Sequence, residues 1–351
     1  MINIKRKGSR KTKRDGKSIT IDSYELSPFK ILMIGGTGTG KTSLLACMHE
    51  AFVLGNVGAH LAFAPDKETD KGKTLAALDK QLQRLERTIE GKKIGEQYVD
   101  NREQIVATSE SVCYNFRGIK SGEGLFHDKE FHYLIQFQDI PGGWFHDPEG
   151  RRDKDTSELI ESSDAYMYCI DTPAMMTGGS FHYDFNCPST VKSWLDKAAQ
   201  NGLLEGKSII FVLSRSERWQ LEEEKVIEQC KEKYASLIAC LKNAKASIYV
   251  TPVYTLGGVT FTTYNEDRMS VYEIIGPRKQ RKCNIPLIQL LHDGMSTYEK
   301  KLAVLNERWD IKVTNKLGIT HYDLAEECAK ELKQLLKEFC DKEIVIHKPR
   351  S

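Results

Sequence analysis

Between residues 29 and 255 short apolar runs alternate with stretches whose apolar residues return every three or four positions. That pattern predicts strands alternating with helices in an open α/β sheet. The predicted strands are Phe29–Ile34, Val112–Ile119, Phe131–Gln138, Ala165–Ile170, Ser208–Leu213 and Ser247–Thr255, and the predicted helices Thr42–Leu54, Thr74–Glu90, Thr156–Ser162, Ser189–Gln200 and Gln220–Asn243. In Thr74–Glu90 the positions Leu75, Leu78, Leu82, Leu85 and Ile89 fall on one stripe, so this helix is expected to pack on its own sheet. Beyond Thr255 an irregular segment carries the basic cluster Arg278-Lys279-Gln280-Arg281-Lys282. Two helical patterns follow, from about Pro286 to Trp309 and from about Tyr322 to Cys340, and then a short strand pattern, Glu343–His347. Asn284 suits the cap of the first of these helices and Pro286 its first turn.

With 351 residues, 40% of them hydrophobic, the chain can bury a large core. The pattern divides it into a leader at 1–27, a main domain at 28–300 with an insertion at about 55–107, and a helical extension at 301–351. The longest apolar runs are of the order of Ile209–Leu213, far short of the roughly 18 to 20 residues of a membrane span. The N-terminal stretch has no apolar segment of the signal-peptide kind. The nine cysteines include no C-x-x-C pair and read as reduced thiols, so a cytoplasmic location is expected. The net charge of +2 conceals a leader carrying Lys5, Arg6, Lys7, Arg10, Lys11, Lys13, Arg14 and Lys17 against Asp15 alone. Such a tail can attract nucleic acid or an anionic membrane surface. With no aromatic residue for stacking and no amphipathic stripe, it reads instead as a flexible, solubilising leader.

The strongest chemical signal is Gly35-Gly36-Thr37-Gly38-Thr39-Gly40-Lys41-Thr42, which satisfies G-x-x-x-x-G-K-[ST] between a predicted strand and a predicted helix. The glycines let successive backbone N–H groups face one anion, and the helix start adds its positive dipole end. Gly35, Thr37, Gly38, Thr39, Gly40, Lys41, Thr42 and Ser43 are the predicted phosphate-binding residues. Lys41 would reach the β- and γ-phosphates and the Thr42 hydroxyl would ligate Mg²⁺. The motif implies an α/β fold of the three-layer P-loop NTPase kind, with a mostly parallel central sheet and, here, extra C-terminal helices.

Further along, the predicted strand ending at Gln138 runs into Asp139-Ile140-Pro141-Gly142, with no glutamate directly after the aspartate as many ATPases have. Asp139-x-x-Gly142 resembles the switch motif of GTPases of the translation-factor-related (TRAFAC) class. That resemblance implies that Asp139 contributes to holding Mg²⁺ and that the Gly142 N–H contacts the γ-phosphate. Ser163–Asp171 resembles the strand after this switch, an apolar run closing on an aspartate. The order of motifs, the long insertion and the extended C-terminus are similar to the prokaryotic double-GTPase group, GTPases of bacterial conflict and signalling systems.

Ser214-Arg215-Ser216-Glu217 stands where the family reads the base with Asn/Thr-Lys-x-Asp, and departs from that motif. Chemically, a carboxylate can accept both N1–H and N2–H₂ of guanine. Glu217 is the candidate, Arg215 is expected to lie over the base, and Thr255 and Leu256 stand where backbone would meet the guanine oxygen. Thr108, just ahead of Val112, is the first choice of first-switch threonine for Mg²⁺, with Thr69 and Thr88, the latter inside the helical pattern, as competitors. Where small GTPases carry a water-orienting glutamine this chain has Gly143. The catalytic candidates are therefore Lys41, Gly142 and His146, with Arg151 or Arg152 as internal cations.

The expected activity is slow Mg²⁺-dependent hydrolysis of GTP to GDP and phosphate by a regulatory switch, completed by a protein partner or by self-association. An ATP-specific P-loop NTPase and a nucleotide-locked interaction module without turnover stand as alternatives.

Overall fold

The computed structural model describes residues 4–14, 17–26, 28–54, 62–65, 73–100, 111–122, 127–146, 153–294, 330, 333, 334, 337 and 345–349. In chain order its strands are β1 (Ile4–Arg14), β2 (Lys17–Leu26), β3 (Phe29–Ile34), β4 (Ala62–Pro65), β5 (Gln97–Asp100), β6 (Val112–Gly122), β7 (His127–Asp139), β8 (Ala165–Asp171), β9 (Ser208–Ser214), β10 (Ser247–Pro252), β11 (Val259–Tyr264), β12 (Ser270–Ile274) and β13 (Val345–His347). The helices are α1 (Lys41–Leu54), α2 (Lys73–Ile89), α3 (Asp153–Ser162), α4 (Thr172–Thr177), α5 (Gly179–Asn186), α6 (Pro188–Gln200), α7 (Glu223–Lys233), α8 (Ala235–Asn243) and α9 (285–294).

The main sheet runs β1-β2-β7-β3-β8-β9-β10-β13, with β6 also on β7 and β4 on β6. Its centre, β7-β3-β8-β9-β10, is parallel throughout. Successive strand residues serve opposite faces. Ile31, Met33, Met167, Cys169, Ile210 and Val212 bury against α1, α2 and α9. Leu32, Ile34, Tyr168, Ile170, Phe211 and Leu213 bury against α3, α6, α7 and α8. Strands covered on both sides must be apolar at every position, which is why these runs stand out in the sequence. The architecture is a three-layer α/β fold with a mostly parallel central sheet, consistent with a P-loop NTPase fold.

Three sequence expectations need correction. Within 1–27, where a flexible leader was expected, the described residues 4–14 and 17–26 are β1 and β2, which make an antiparallel hairpin. β7 extends beyond β3, and β2 pairs in parallel with that overhang, Thr20 to His127 through Glu25 to His132. Hydrogen bonding along the free edge of β7 thus organises a segment whose charge had suggested solvation. Gln220–Asn243 is two helices, broken at the buried Tyr234, whose hydroxyl hydrogen-bonds the Tyr168 hydroxyl at 3.2 Å. The strand from Ser247 stops at Pro252 rather than Thr255. A small sheet, β11-β12-β5, was not foreseen. Of the expected helical extension, most of 301–344 lies outside the described residues, while β13 pairs antiparallel with β10.

The amphipathic stripe behaves as its spacing predicts, with Leu78 and Leu85 of α2 buried in one core layer, Leu82 packed against it, and Ile89 buried in the other. Leu78 is fully buried, so Leu78→Ala is expected to lower unfolding stability by about 2–5 kcal/mol, measured by denaturant titration.

Candidate functional site

The chain leaves β3 at Ile34, turns through the glycine-rich loop and enters α1 at Lys41, at the carboxyl ends of the parallel strands, where open α/β sheets bind ligands. Gly40 takes φ +90°, a conformation that L side chains rarely adopt. The loop is tied down at its middle. The Thr39 hydroxyl donates to the Gly36 carbonyl at 3.0 Å, and Ser214, at the tip of β9, donates to the Thr39 carbonyl at 2.6 Å. Lys41 Nζ donates to the Gly35 carbonyl at 2.7 Å and lies 3.7 Å from Asp139 Oδ1.

Asp139 closes β7 one strand away, because Met33 pairs with Asp139 in the β3–β7 register. Its Oδ1 is buried with no hydrogen-bond partner. Burial pushes the Asp139 carboxyl above the ordinary carboxylate range, against the pull of Lys41 and Thr42 beside it. Tyr114 on β6 faces the same corner, its hydroxyl raised to about 12, chiefly by burial and secondly by Asp139. Gly142 sits so close to the loop that a Cβ there would overlap the backbone N and Cα of Thr37.

At the far end, the loop after β9 carries Arg215 and Glu217. Arg215 takes φ +58° and points its largely covered guanidinium at Asp100 (2.6 Å) and Asp171 (3.5 Å). Burial disfavours that charge, but Asp100, with Tyr272 and Asp171 behind it, more than restores it and raises the pKa. Glu217 is buried, and its Oε1 accepts the N–H groups of Leu256 (3.1 Å) and Gly257 (3.5 Å). Burial raises its carboxyl also, opposed by backbone hydrogen bonds. Above them Tyr98 and Tyr272 stack with centroids 5.5 Å apart, joining β5 to β12.

One cavity of about 480 Å³ unites these groups. Thr37 through Ser43, Asp139, Gly142, Arg215, Glu217, Thr255 and Leu256 all line it. Gly35 does not, serving instead through its carbonyl to Lys41. His146 is not brought there: it is exposed and its Nε2 lies 3.5 Å from Cys187 Sγ, because the turn Gly142–His146 carries it away after Gly142. Nor does Arg215 reach out over the cavity as a free cation, since two carboxylates hold it. Thr69, Thr108, Arg151 and Arg152 lie outside the described residues.

The sequence reading missed Tyr98, Asp100, Tyr114 and Tyr272, and also Lys80, Gln81 and Arg84 of α2, all of which line the cavity. The signal for the last group was present as the polar flank of the α2 stripe, at positions 77, 80, 81, 84 and 88.

No family model matches the chain, and no curated protein does. Among solved structures it is similar to the signal recognition particle receptor SRb-GTP/SRX complex from Chaetomium thermophilum. The identity is 13%, the alignment covers 66% of this chain and 92% of that one, and the TM-score is 0.33. A likeness of that degree carries no functional argument, which rests on the site itself. Among the described residues no helix is long and apolar enough to cross a membrane.

Two outcomes follow from the geometry. The folded state holds the Asp139 proton more tightly than the unfolded chain does, so the stability this group contributes is greatest below the ordinary carboxylate pKa of about 4 and falls as pH rises above it. Asp139→Asn is expected to raise the melting temperature of ligand-free protein at neutral pH and to flatten that fall, read by calorimetry across pH. Gly142→Ala forces Thr37 and the Gly142 turn apart, and is expected to make the loop exchange amide hydrogens at least about tenfold faster while the central strands keep their protection.

Proposed function

We propose that this chain binds GTP with Mg²⁺ and hydrolyses it slowly to GDP and phosphate, acting as a switch toward a protein partner or a second copy. The observation that carries the reading is one continuous cavity with a Gly-Lys-Thr loop, Asp139 and Gly142 at one end and a buried glutamate beside the backbone of Thr255–Gly257 at the other. Lys41 would exchange the Gly35 carbonyl for β- and γ-phosphate oxygens. Thr42 and Asp139 fit Mg²⁺, because a desolvated carboxylate with an unpartnered oxygen beside a hydroxyl offers hard donors. Among the described residues no cluster of three His, Cys, Asp or Glu gathers, so phosphate oxygens and water would complete the shell.

The metal supplies neutralisation of phosphate charge. Gly142, at the wall beside Thr37, would offer its N–H to the γ-phosphate, so its position would respond to whether that group is present. Hydrolysis adds water to the γ-phosphorus and breaks its bond to the β–γ bridging oxygen, which leaves with GDP. Glu217, fixed by two N–H groups, would accept the paired donors of guanine, and Arg215, anchored between Asp100 and Asp171, would stiffen the wall behind the base. The family resemblance suggests a bacterial conflict or signalling system as the setting.

One observation favours a second reading, a nucleotide-locked interaction module. Among the described residues the Gln81 amide is committed to Ser43 at 2.9 Å, and His146 lies outside the cavity, so neither side chain stands free to orient water.

Equilibrium binding of labelled GTP and ATP separates the base assignments. GTP is expected to be preferred by at least about tenfold, Glu217→Ala to reduce that preference by roughly tenfold or more, and Lys41→Ala to abolish binding of both. Preference for ATP would sink the guanine reading. Single-turnover phosphate release at the Lys41→Ala rate would remove hydrolysis and leave the locked module.

A further inference from the structure

Among the described residues four cationic side chains line the cavity: Lys41, Lys80, Arg84 and Arg215. Two are already engaged by the protein. Lys41 donates to Gly35 and approaches Asp139, and Arg215 is held by Asp100 and Asp171. The side chains of Lys80 and Arg84 have no hydrogen-bond or ion-pair partner among the described residues. Both belong to α2, within the insertion that the sequence suggested only packs on the sheet.

The placement of α2 is determined by contacts along its length. At its start the Thr74 hydroxyl accepts the Asn115 N–H at 3.3 Å, next to Tyr114 in the Asp139 corner. At its middle the Gln81 amide donates to Ser43 Oγ at 2.9 Å, directly after Thr42. Leu78 and Leu85 bury beneath. This leaves the flank with Lys80, Gln81, Arg84 and Thr88 facing the loop. Lys80 and Arg84 are four residues apart, on one helix face and about 6 Å along its axis, so they can meet successive groups of an extended anion. Arg84 is half-buried, which strengthens any charge–charge contact it makes relative to one in open water.

We propose that Lys80 and Arg84 form a second cationic wall that binds the polyphosphate chain from the side opposite the Gly35–Thr42 loop. The inference rests on the nucleotide reading above and extends it to a segment outside the recognised motifs. The acids lining the cavity, Asp100, Asp139 and Glu217, are engaged by Arg215, by Lys41 and by backbone N–H groups respectively. Among the described residues these two charges are therefore left for a ligand to satisfy. The ligand class is a di- or triphosphate, and the wall reads phosphate without regard to the base. Gln81 holds the helix at the level of Ser43, and so acts as a positioning residue.

The test uses the full chain and titrates GTP, GDP and inorganic tripolyphosphate against wild type, Lys80→Gln, Arg84→Gln, Arg84→Lys and the double glutamine variant, at two salt concentrations. Each glutamine variant is expected to lose about tenfold in affinity for all three anions and to show a shallower salt dependence, while Arg84→Lys keeps most of the affinity. Circular dichroism and melting temperature should match wild type, since neither side chain is in the core. If GTP binds wild type and the double variant within twofold, the wall is overturned and the nucleotide reading stands. If tripolyphosphate binds with the expected losses but GTP gains nothing over it, the wall stands and the guanine reading fails. If wild type binds none of the three, both fall.

Discussion

The register of β3 against β7 is the constraint on which the site depends. Their parallel pairing sets Met33 opposite Asp139, so a carboxylate arrives level with the point where the chain leaves β3 for the glycine-rich loop. A slip of one residue would turn Asp139 to the other face of the sheet and leave Lys41 without its neighbour at 3.7 Å. The register is enforced from both faces, because Ile31, Met33, Ile135 and Phe137 pack into one core layer and Leu32 and Ile140 into the other. Apolar packing thus fixes the position of two charges that the same burial makes costly.

That cost falls unevenly. Asp139 and Glu217 are both carboxylates whose charged forms burial disfavours, yet they are compensated differently. Glu217 is held by two backbone N–H groups and belongs to a rigid wall. Asp139 Oδ1 lacks a hydrogen bond and faces Lys41 across a gap. A buried acceptor left short of partners lowers stability and favours whatever cation completes it. The metal-side corner is therefore where the protein gains most from a ligand, whereas at the Glu217 end its own backbone already holds one carboxylate oxygen.

The central strands were legible because double burial makes them uniformly apolar, and the loop at Gly35–Thr42 because only that spacing of glycines, lysine and threonine cradles an anion. The reading failed where local pattern yields to long-range pairing. Nothing in Lys17–Leu26 announces that β7 is longer than β3, so a charged leader was expected where an added strand lies. The base end was half legible. Glu217 was found through its carboxylate, but the Asp100 that holds Arg215 lies on β5, far back in the chain and brought near by the β11-β12-β5 sheet. Sequence order gives no hint of that closure.

The helix α2 shows why motif-based reading underestimates such a site. Its apolar stripe predicts packing, and packing alone accounts for only one side of the helix. Packing one stripe of a helix also fixes the direction of every other side chain on it. Once Leu78 and Leu85 are buried, the Cα–Cβ bonds of Lys80, Gln81 and Arg84 are set toward the flank that lines the cavity. The core contacts of an insertion and its contribution to the cavity are therefore two consequences of one amphipathic pattern. A change in how α2 packs would move the two cations together with the Gln81–Ser43 contact, linking the insertion mechanically to the first turn of α1.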